Sequence, residues 1–174
     1  SSIFFLLSSI YPGLKWTDEG YVASAGWGYA TTGEPVVLIH YPLITETFSV
    51  MFRLLGVWFE AFGVSLTSAR VFTLILTTLA RVITLRPLQT VYGKPAAWGS
   101  IVLGAFSFAS INYLYSDAEI PLFMAAAFAL YVTAQRSNRP WLHFFVGLAV
   151  SLSVDGHPVA YRFGLMFAAA YAVE

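Results

Sequence analysis

Charged residues are scarce in this chain of 174 residues. Only 10% of its residues are charged, nine basic and nine acidic, against about 25% in an average soluble domain. A soluble globule needs charge to cover its surface, whereas a surface that faces lipid does not. Hydrophobic residues make up 58% of the chain, and the mean hydropathy is +0.72. The composition therefore indicates an integral, multi-pass membrane protein embedded in a lipid bilayer.

Cysteine is absent, and neither sign of charge is in excess. Without cysteine, disulfides and thiolate metal sites are excluded. The net charge of zero provides no positive field for nucleic acid, so no nucleic-acid partner is expected. The HExxH, Walker and GxSxG patterns are missing too, as is GxGxxG after a strand, so hydrolase, nucleotidase and dinucleotide-binding interpretations lack their motifs.

Apolar runs separated by glycine, proline and charge predict a series of helices. Residues 15–41 are polar, Gly-rich and aromatic-rich, and they are predicted to form a loop. The predicted apolar runs are 1–14, 42–62, 68–86, 95–115, 119–135, 140–154 and 158–173. A helix needs about 20 residues to span hydrocarbon, so several runs are at or below one crossing in length. The predicted fold class is all-α, a polytopic transmembrane helical bundle.

Both ends of the chain lie at apolar runs. The chain starts at Ser1 without Met, just before the run Ile3–Ile10, and it stops at Glu174 after another run. A cleavable signal peptide would need a charged start and a small-residue cleavage site, and neither is evident. We expect residues 1–174 to be a single transmembrane domain that is truncated at both ends.

The placement of charge predicts the topology. Four bases lie in two short loops, which the positive-inside rule assigns to the cytoplasm: Arg86, Lys94, Arg136 and Arg139. Five acids lie in three other loops, which then face outside if each later run crosses once: Asp18, Glu19, Asp117, Glu119 and Asp155. This topology requires that the run 42–62 lies on the outer face of the membrane and does not cross it.

The run 42–62 has the pattern of an interfacial helix. Glu46, Arg53 and Glu60 recur every seven residues and therefore share one stripe of the helix. Its apolar surface comes from Val50, Leu54, Val57, Phe59 and Phe62. We expect a juxtamembrane helix in the first outer loop. The alternative is a spanning helix whose charges face protein, in which case the acidic loops would not all share one side.

The segment Trp16-Thr17-Asp18-Glu19-Gly20-Tyr21 places two adjacent carboxylates directly after an apolar run. A carboxylate at the membrane surface can accept the proton of a sugar or protein hydroxyl as that oxygen attacks. The alternative is a helix start, with Thr17 or Asp18 as N-cap and Glu19 near the positive end of the helix dipole.

Three basic side chains are candidates for binding phosphate or for facing a cavity. His40 precedes a helix that Pro42 can open, where backbone N–H groups can assist it in holding a phosphate. The alternative is an interfacial histidine bonded to a carbonyl. Arg70 and Arg162 lie near the starts of apolar runs, and bases at such depths tend to face a partner or a cavity.

Two further acidic pairs lie where predicted helices meet. Asp117 and Glu119 would lie on different faces of a regular helix, but at an irregular helix start both could reach one cavity. The alternative is that Asp117 is a plain N-cap. Asp155 and His157 could bind a divalent metal or a phosphate, and the alternative is a simple turn before the next helix.

Taken in order, these segments resemble the motifs of the GT-C superfamily of membrane glycosyltransferases. The resemblance is to the branch of dolichyl-phosphate-mannose protein mannosyltransferases and bacterial aminoarabinose transferases. The segments are Asp18-Glu19-Gly20-Tyr21, His40-Tyr41-Pro42-Leu43, Phe62-Gly63-Val64-Ser65 with Ser68-Ala69-Arg70, Tyr92-Gly93-Lys94-Pro95-Ala96-Ala97, Glu119-Ile120-Pro121-Leu122, and Gly147-Leu148-Ala149 with Asp155-Gly156-His157-Pro158. Two motifs depart from the family pattern: Glu119 replaces the usual Asp, and His40-Tyr41 replaces Lys-Pro.

The resemblance implies an inverting transfer of a sugar from a polyprenyl-phosphate donor to an acceptor hydroxyl, on the outer face of the plasma (inner) membrane. It implies Asp18 as base, with Glu19 assisting, and Asp117 and Glu119 as residues that orient sugar or acceptor. The candidates for binding the phosphate are His40, His157 and Arg162. A divalent cation is an option that the chemistry does not require, and its candidate ligands are Asp18, Asp117, Glu119 and Asp155.

The alternative from another class is a multi-pass transporter or flippase that uses outer-face carboxylates as ion sites. Such proteins carry acids within helices near mid-membrane and often contain an internal repeat. In this sequence the acids cluster at the ends of apolar runs, and no repeat is visible. A third interpretation is a non-catalytic scaffold in which the motif residues only cap helices.

Overall fold

The computed structural model describes residues 17–34, 49–106, 119–156 and 160–173. Within these ranges the chain forms seven α-helices and no strand, which confirms the all-α prediction for this part of the chain. The helices are α1 (Thr17–Thr32), α2 (Ser49–Phe62), α3 (Leu66–Tyr92), α4 (Lys94–Phe106), α5 (Ile120–Ser137), α6 (Leu142–Gly156) and α7 (Tyr161–Val173).

Helix α3 is longer than the sequence predicts. The run 68–86 was expected to end before Pro87, but the helix continues through this buried proline to Tyr92. Proline removes one backbone donor and crowds the carbonyl one turn earlier. Packing on both sides of Pro87 compensates for this loss, because Ala80 is buried before it and the Thr90 carbonyl accepts a hydrogen bond from Arg136 after it. Arg86 therefore lies within the helix and not in a loop.

At about 40 Å, α3 has the length to cross a bilayer. Its 27 residues include a stretch with a mean hydropathy of 1.5. Among the described residues, α3 is the one helix that is both long enough and apolar enough to cross a bilayer by itself. Helix α6 is also apolar between Leu142 and Val154 but is shorter than one crossing.

A tight corner joins α2 to α3. Gly63, with φ of 84°, ends α2 and donates its N–H to the Phe59 carbonyl at 2.9 Å. Ser65 then caps α3, because its side chain accepts the Ser68 N–H at 3.0 Å. The indole of Trp58 donates to Ser68 Oγ at 2.9 Å and so ties the two helices together. The corner fixes the direction in which α3 leaves α2.

Helices α3 and α4 form an antiparallel hairpin. The turn is Gly93, whose φ of 83° favours glycine, and its N–H donates to the Gln89 carbonyl at 3.1 Å. Along the hairpin, Arg81 Nη2 donates to the Gly104 carbonyl at 2.9 Å. These two residues lie at nearly equal distances from Gly93 along the chain, as a regular hairpin requires.

Helix α5 runs parallel to α3. At their C-terminal ends, Arg136 Nη2 donates to the Thr90 carbonyl at 3.1 Å. At their N-terminal ends, Leu122 packs against a cluster that contains Ala69 and Phe72. The starts of α3 and α5 therefore lie at one end of the molecule, and their ends lie at the other.

Helices α6 and α7 extend this up-and-down arrangement. Asn138, in the left-handed conformation with φ of 50°, ends α5 and lets the chain turn back into α6. His143 near the start of α6 hydrogen-bonds the Tyr171 hydroxyl near the end of α7. The predicted runs 119–135, 140–154 and 158–173 agree with the observed α5, α6 and α7 to within a few residues.

Helix α1 corrects the prediction of a loop over residues 15–41, because Thr17–Thr32 is helical. Its small residues, which suggested a loop, permit close approach to α2 instead. A Cβ added at Gly26 would lie 2.7 Å from Leu55 Cγ, and one added at Gly56 would lie 2.6 Å from Tyr29 Cβ. The buried residues of this contact continue onto α3 as one cluster: Val22, Ala25, Met51, Phe52, Leu55, Phe59, Ala69, Phe72 and Leu76.

The close contact of α1 with α2 predicts that Gly56→Ala destabilises the protein. The new methyl group has to displace Tyr29 and the α1 backbone, and overpacking of this kind costs about 1–3 kcal/mol. The measurement is thermal or denaturant unfolding of the purified protein in detergent.

The matched control is Gly99→Ala in α4, where a Cβ meets nothing within 4 Å. Alanine is the better helix former by up to about 1 kcal/mol, so this variant should unfold at the same or a slightly higher temperature. Equal stability of the two variants would contradict a tight contact between α1 and α2.

Candidate functional site

The parallel pairing of α3 and α5 gives the molecule a basic end. This end holds the Gly93 turn and the turn between α5 and α6. The four bases expected in cytoplasmic loops lie toward this end. Lys94 and Arg139 lie at the turns, Arg136 lies in the last turn of α5, and Arg86 lies within α3 nearly two turns before its end. Arg81 lies between the two ends, against Gly104.

The opposite end is acidic. Glu119 precedes α5 there, and Asp155 lies in the last described turn of α6. Helices α1 and α2 pack against the starts of α3 and α5, and so bring Glu34 and Glu60 to the same end. Among the acids within the described ranges, Glu34, Glu60, Glu119 and Asp155 therefore lie at this acidic end.

Buried polar groups concentrate at the acidic end. Glu119 is fully buried, and Arg70 is 3% exposed. Both lie at the starts of the parallel helices α5 and α3, so two opposite charges are buried at one end of the same helix pair. Thr73, one turn after Arg70, is also buried. Burial strengthens electrostatic interactions, so this region suits the binding or stabilisation of charge.

The catalytic candidates Asp18 and Glu19 are helical and lie in the first described turn of α1. They therefore belong to a helix and not to the loop that the sequence predicts. Their side chains lie outside the part of the chain that the structure describes. Helix α1 packs on α2, and Val22 and Ala25 belong to the same cluster as Ala69 near the start of α3.

The other predicted site residues divide into two groups. His40, Asp117 and His157 lie outside the described residues, as does the side chain of Asp155. Arg162 is described and is exposed on α7 rather than enclosed in a cavity. Among the side chains that are described, no three His, Asp or Glu residues come together as a metal site. Of the four candidate metal ligands, only Glu119 has a described side chain.

A groove between α1 and α2 is a site that sequence analysis missed. It has a volume of about 530 Å³ and is lined by Tyr29, Glu34, Arg53, Val57 and Glu60 together with two glycines. The seven-residue spacing of Arg53 and Glu60 was a signal for their shared face. No sequence signal pairs them with Tyr29 and Glu34, because the composition of residues 15–41 predicts a loop.

Comparison with protein-family models, with curated proteins and with solved structures finds no match for this chain.

The complete burial of Glu119 predicts that Glu119→Ala lowers the free energy of unfolding. Truncating a fully buried side chain of this size leaves a cavity, and comparable truncations cost about 2–5 kcal/mol. The control is Glu60→Ala, an exposed glutamate whose loss should change stability by at most about 0.5 kcal/mol. Unfolding in detergent measures both, and a Glu119→Ala variant as stable as Glu60→Ala would contradict the burial.

Proposed function

We propose that this chain is part of a GT-C-like membrane glycosyltransferase that uses a polyprenyl-phosphate sugar and works on the outer face of the membrane. The observation that carries the proposal is the sorting of charge. Glu34, Glu60, Glu119 and Asp155 lie at one end of the bundle, and four bases occupy the other. The order of the short motifs along the sequence points to the same class of enzyme.

Several features support a multi-pass membrane bundle. The helices alternate in direction from α3 to α4 and from α5 to α7, and basic turns at one end fit the positive-inside rule. Large apolar side chains face outward on α3, α4, α6 and α7, as a surface in contact with hydrocarbon requires. Examples are Val82, Leu103, Phe144, Leu165 and Met166. On this proposal the basic end is cytoplasmic and the acidic end faces outside.

The geometry of α2 supports an interfacial helix. Its 14 described residues span about 21 Å, less than one crossing. Its buried face, made by Met51, Leu55 and Phe59, packs at the acidic end of the bundle. Arg53 and Glu60 share its exposed polar stripe, and Val57 is exposed beside them. Such a helix suits the membrane surface at the outer ends of the spanning helices.

In the proposed reaction, the acceptor hydroxyl gives its proton to the Asp18 carboxylate while its oxygen forms a bond to the anomeric carbon. The bond from that carbon to the phosphate oxygen breaks, and the electron pair leaves with the lipid phosphate. The transition state resembles an oxocarbenium ion. Glu19 assists the base, while Asp117 and Glu119 orient sugar or acceptor. His40, His157 and Arg162 stabilise the leaving phosphate, and a divalent cation is optional.

The transporter alternative receives less support. It expects carboxylates within helices at mid-membrane depth. The described acids lie at helix ends or on α1 and α2, and the charge at intermediate depth in α3 is a base, Arg81.

Asp18→Asn tests the proposal. The amide has nearly the same shape but cannot accept the proton, so the rate of sugar transfer should fall by about 100-fold or more. The measurement is transfer of label from radiolabelled polyprenyl-phosphate sugars by the intact protein. Unchanged thermal unfolding would show that the variant keeps its fold.

The control is Arg139→Gln, which removes one charge at the basic end, far from the proposed site, and should retain transfer. Near-normal transfer by Asp18→Asn would remove Asp18 from the role of base.

A further inference from the structure

The groove lies where α1 and α2 pack closely together. Gly56 lines it and lies against Tyr29 and against the backbone of Gly26 and Ala30. Gly33 ends α1 with φ of 76° and has open space around it. The groove is therefore an open slot of about 530 Å³ at the acidic end of the molecule.

The groove has a positive pole and a negative pole. Arg53 Nε donates to Tyr29 Oη at 3.4 Å, and the guanidinium carbon lies 5.9 Å from the centre of the Tyr29 ring. These contacts orient the cation on one side of Gly56. Glu60 lies seven residues further along the same stripe of α2, about 10 Å in helix rise. Glu34 follows the end of α1 and lines the groove as well.

An apolar surface continues from the groove. Val57 lines the groove and is 66% exposed, and Leu54, one turn earlier on α2, is 37% exposed. Their outward position is not explained by packing within the described part of the chain. The groove therefore matches a molecule that carries an anionic group for the basic side, a cationic group for the acidic side and an apolar tail for the exposed surface.

We propose that this groove binds the zwitterionic phosphoethanolamine headgroup of a bilayer lipid. Arg53 binds the phosphate, and Glu60 and Glu34 accept hydrogen bonds from the ammonium group. The acyl chains extend over Val57 and Leu54. The proposal rests on the outward-facing, membrane-surface position of α2 proposed above, but it does not depend on sugar transfer.

The chemistry of the groove predicts selectivity among lipids. A phosphatidylcholine headgroup has no N–H to donate to the carboxylates, and phosphatidylglycerol has no cation at all. Charge-assisted hydrogen bonds are roughly twice as strong as neutral ones, so losing them should weaken binding about tenfold. Soluble phosphoethanolamine lacks the apolar tail and should bind more weakly than the lipid.

The experiment measures lipid binding to the purified protein in detergent by native mass spectrometry. The lipids are phosphatidylethanolamine, phosphatidylcholine and phosphatidylglycerol with identical acyl chains, and soluble phosphoethanolamine is tested beside them. We expect phosphatidylethanolamine to bind about tenfold more tightly than the other three. Equal affinity for the three lipids would overturn the proposal, and equally tight binding of soluble phosphoethanolamine would overturn the assignment to a bilayer lipid.

Variants locate the selectivity in the groove. Arg53→Gln removes the phosphate contact that the three lipids share, so it should weaken the binding of each lipid about tenfold, whereas Arg53→Lys should keep part of that affinity. Glu60→Gln changes an exposed side chain that contacts the ammonium group, and it should reduce the preference for phosphatidylethanolamine to threefold or less. Arg86→Gln at the basic end should leave it unchanged. A full preference in Glu60→Gln, or unchanged affinities in Arg53→Gln, would place the lipid elsewhere. The lipid-binding assay contains no sugar donor or acceptor, so its failure would not contradict the transferase proposal. Failure of the sugar-transfer assay would likewise not contradict lipid binding in the groove.

Discussion

The parallel pairing of α3 with α5 is the constraint on which the arrangement of this molecule depends. The hydrogen bond from Arg136 to the Thr90 carbonyl fixes one end of the pair, and the packing of Leu122 beside Ala69 fixes the other. Because both helices run in the same direction, their C-terminal ends meet at one end of the molecule, where Arg136 lies in the last turn of α5 and Lys94 follows the end of α3. Their starts, which bear a buried arginine and a buried glutamate, meet at the other end, where α1 and α2 cover them.

The sequence predicted helices well where an apolar run is bounded by proline or by charge. The run 119–135 lies between acids and Arg136, and the observed helix is Ile120–Ser137. It failed where local signals compete with packing. Pro87 suggested a helix end, but tertiary contacts on both sides carry α3 to Tyr92. The glycines of α1 suggested a loop, although they serve close contact with α2. Such compensation depends on residues distant in the chain and leaves no local signature.

Only part of the candidate site was predictable, because contacts between residues distant in the chain leave no local signature. Glu119 stands out in the sequence as an acid at a helix start, and the structure adds that its side chain is fully buried. Arg70 is a candidate because it stands at the start of an apolar run. That it lies at the same end of the molecule as Glu119 follows only from the parallel arrangement of α3 and α5. The groove was harder still, because Tyr29 and Arg53 lie 24 residues apart and meet only when α1 and α2 pack.

Cysteine labelling from the two sides of the membrane tests the central claim, that the acidic and basic ends face opposite sides. The chain has no cysteine, so Glu34→Cys and Arg139→Cys each create a single exposed thiol at one end of the bundle. In intact cells, a membrane-impermeant maleimide should label Glu34→Cys, and Arg139→Cys should react only after permeabilisation. Labelling of both positions from outside in intact cells would contradict the account.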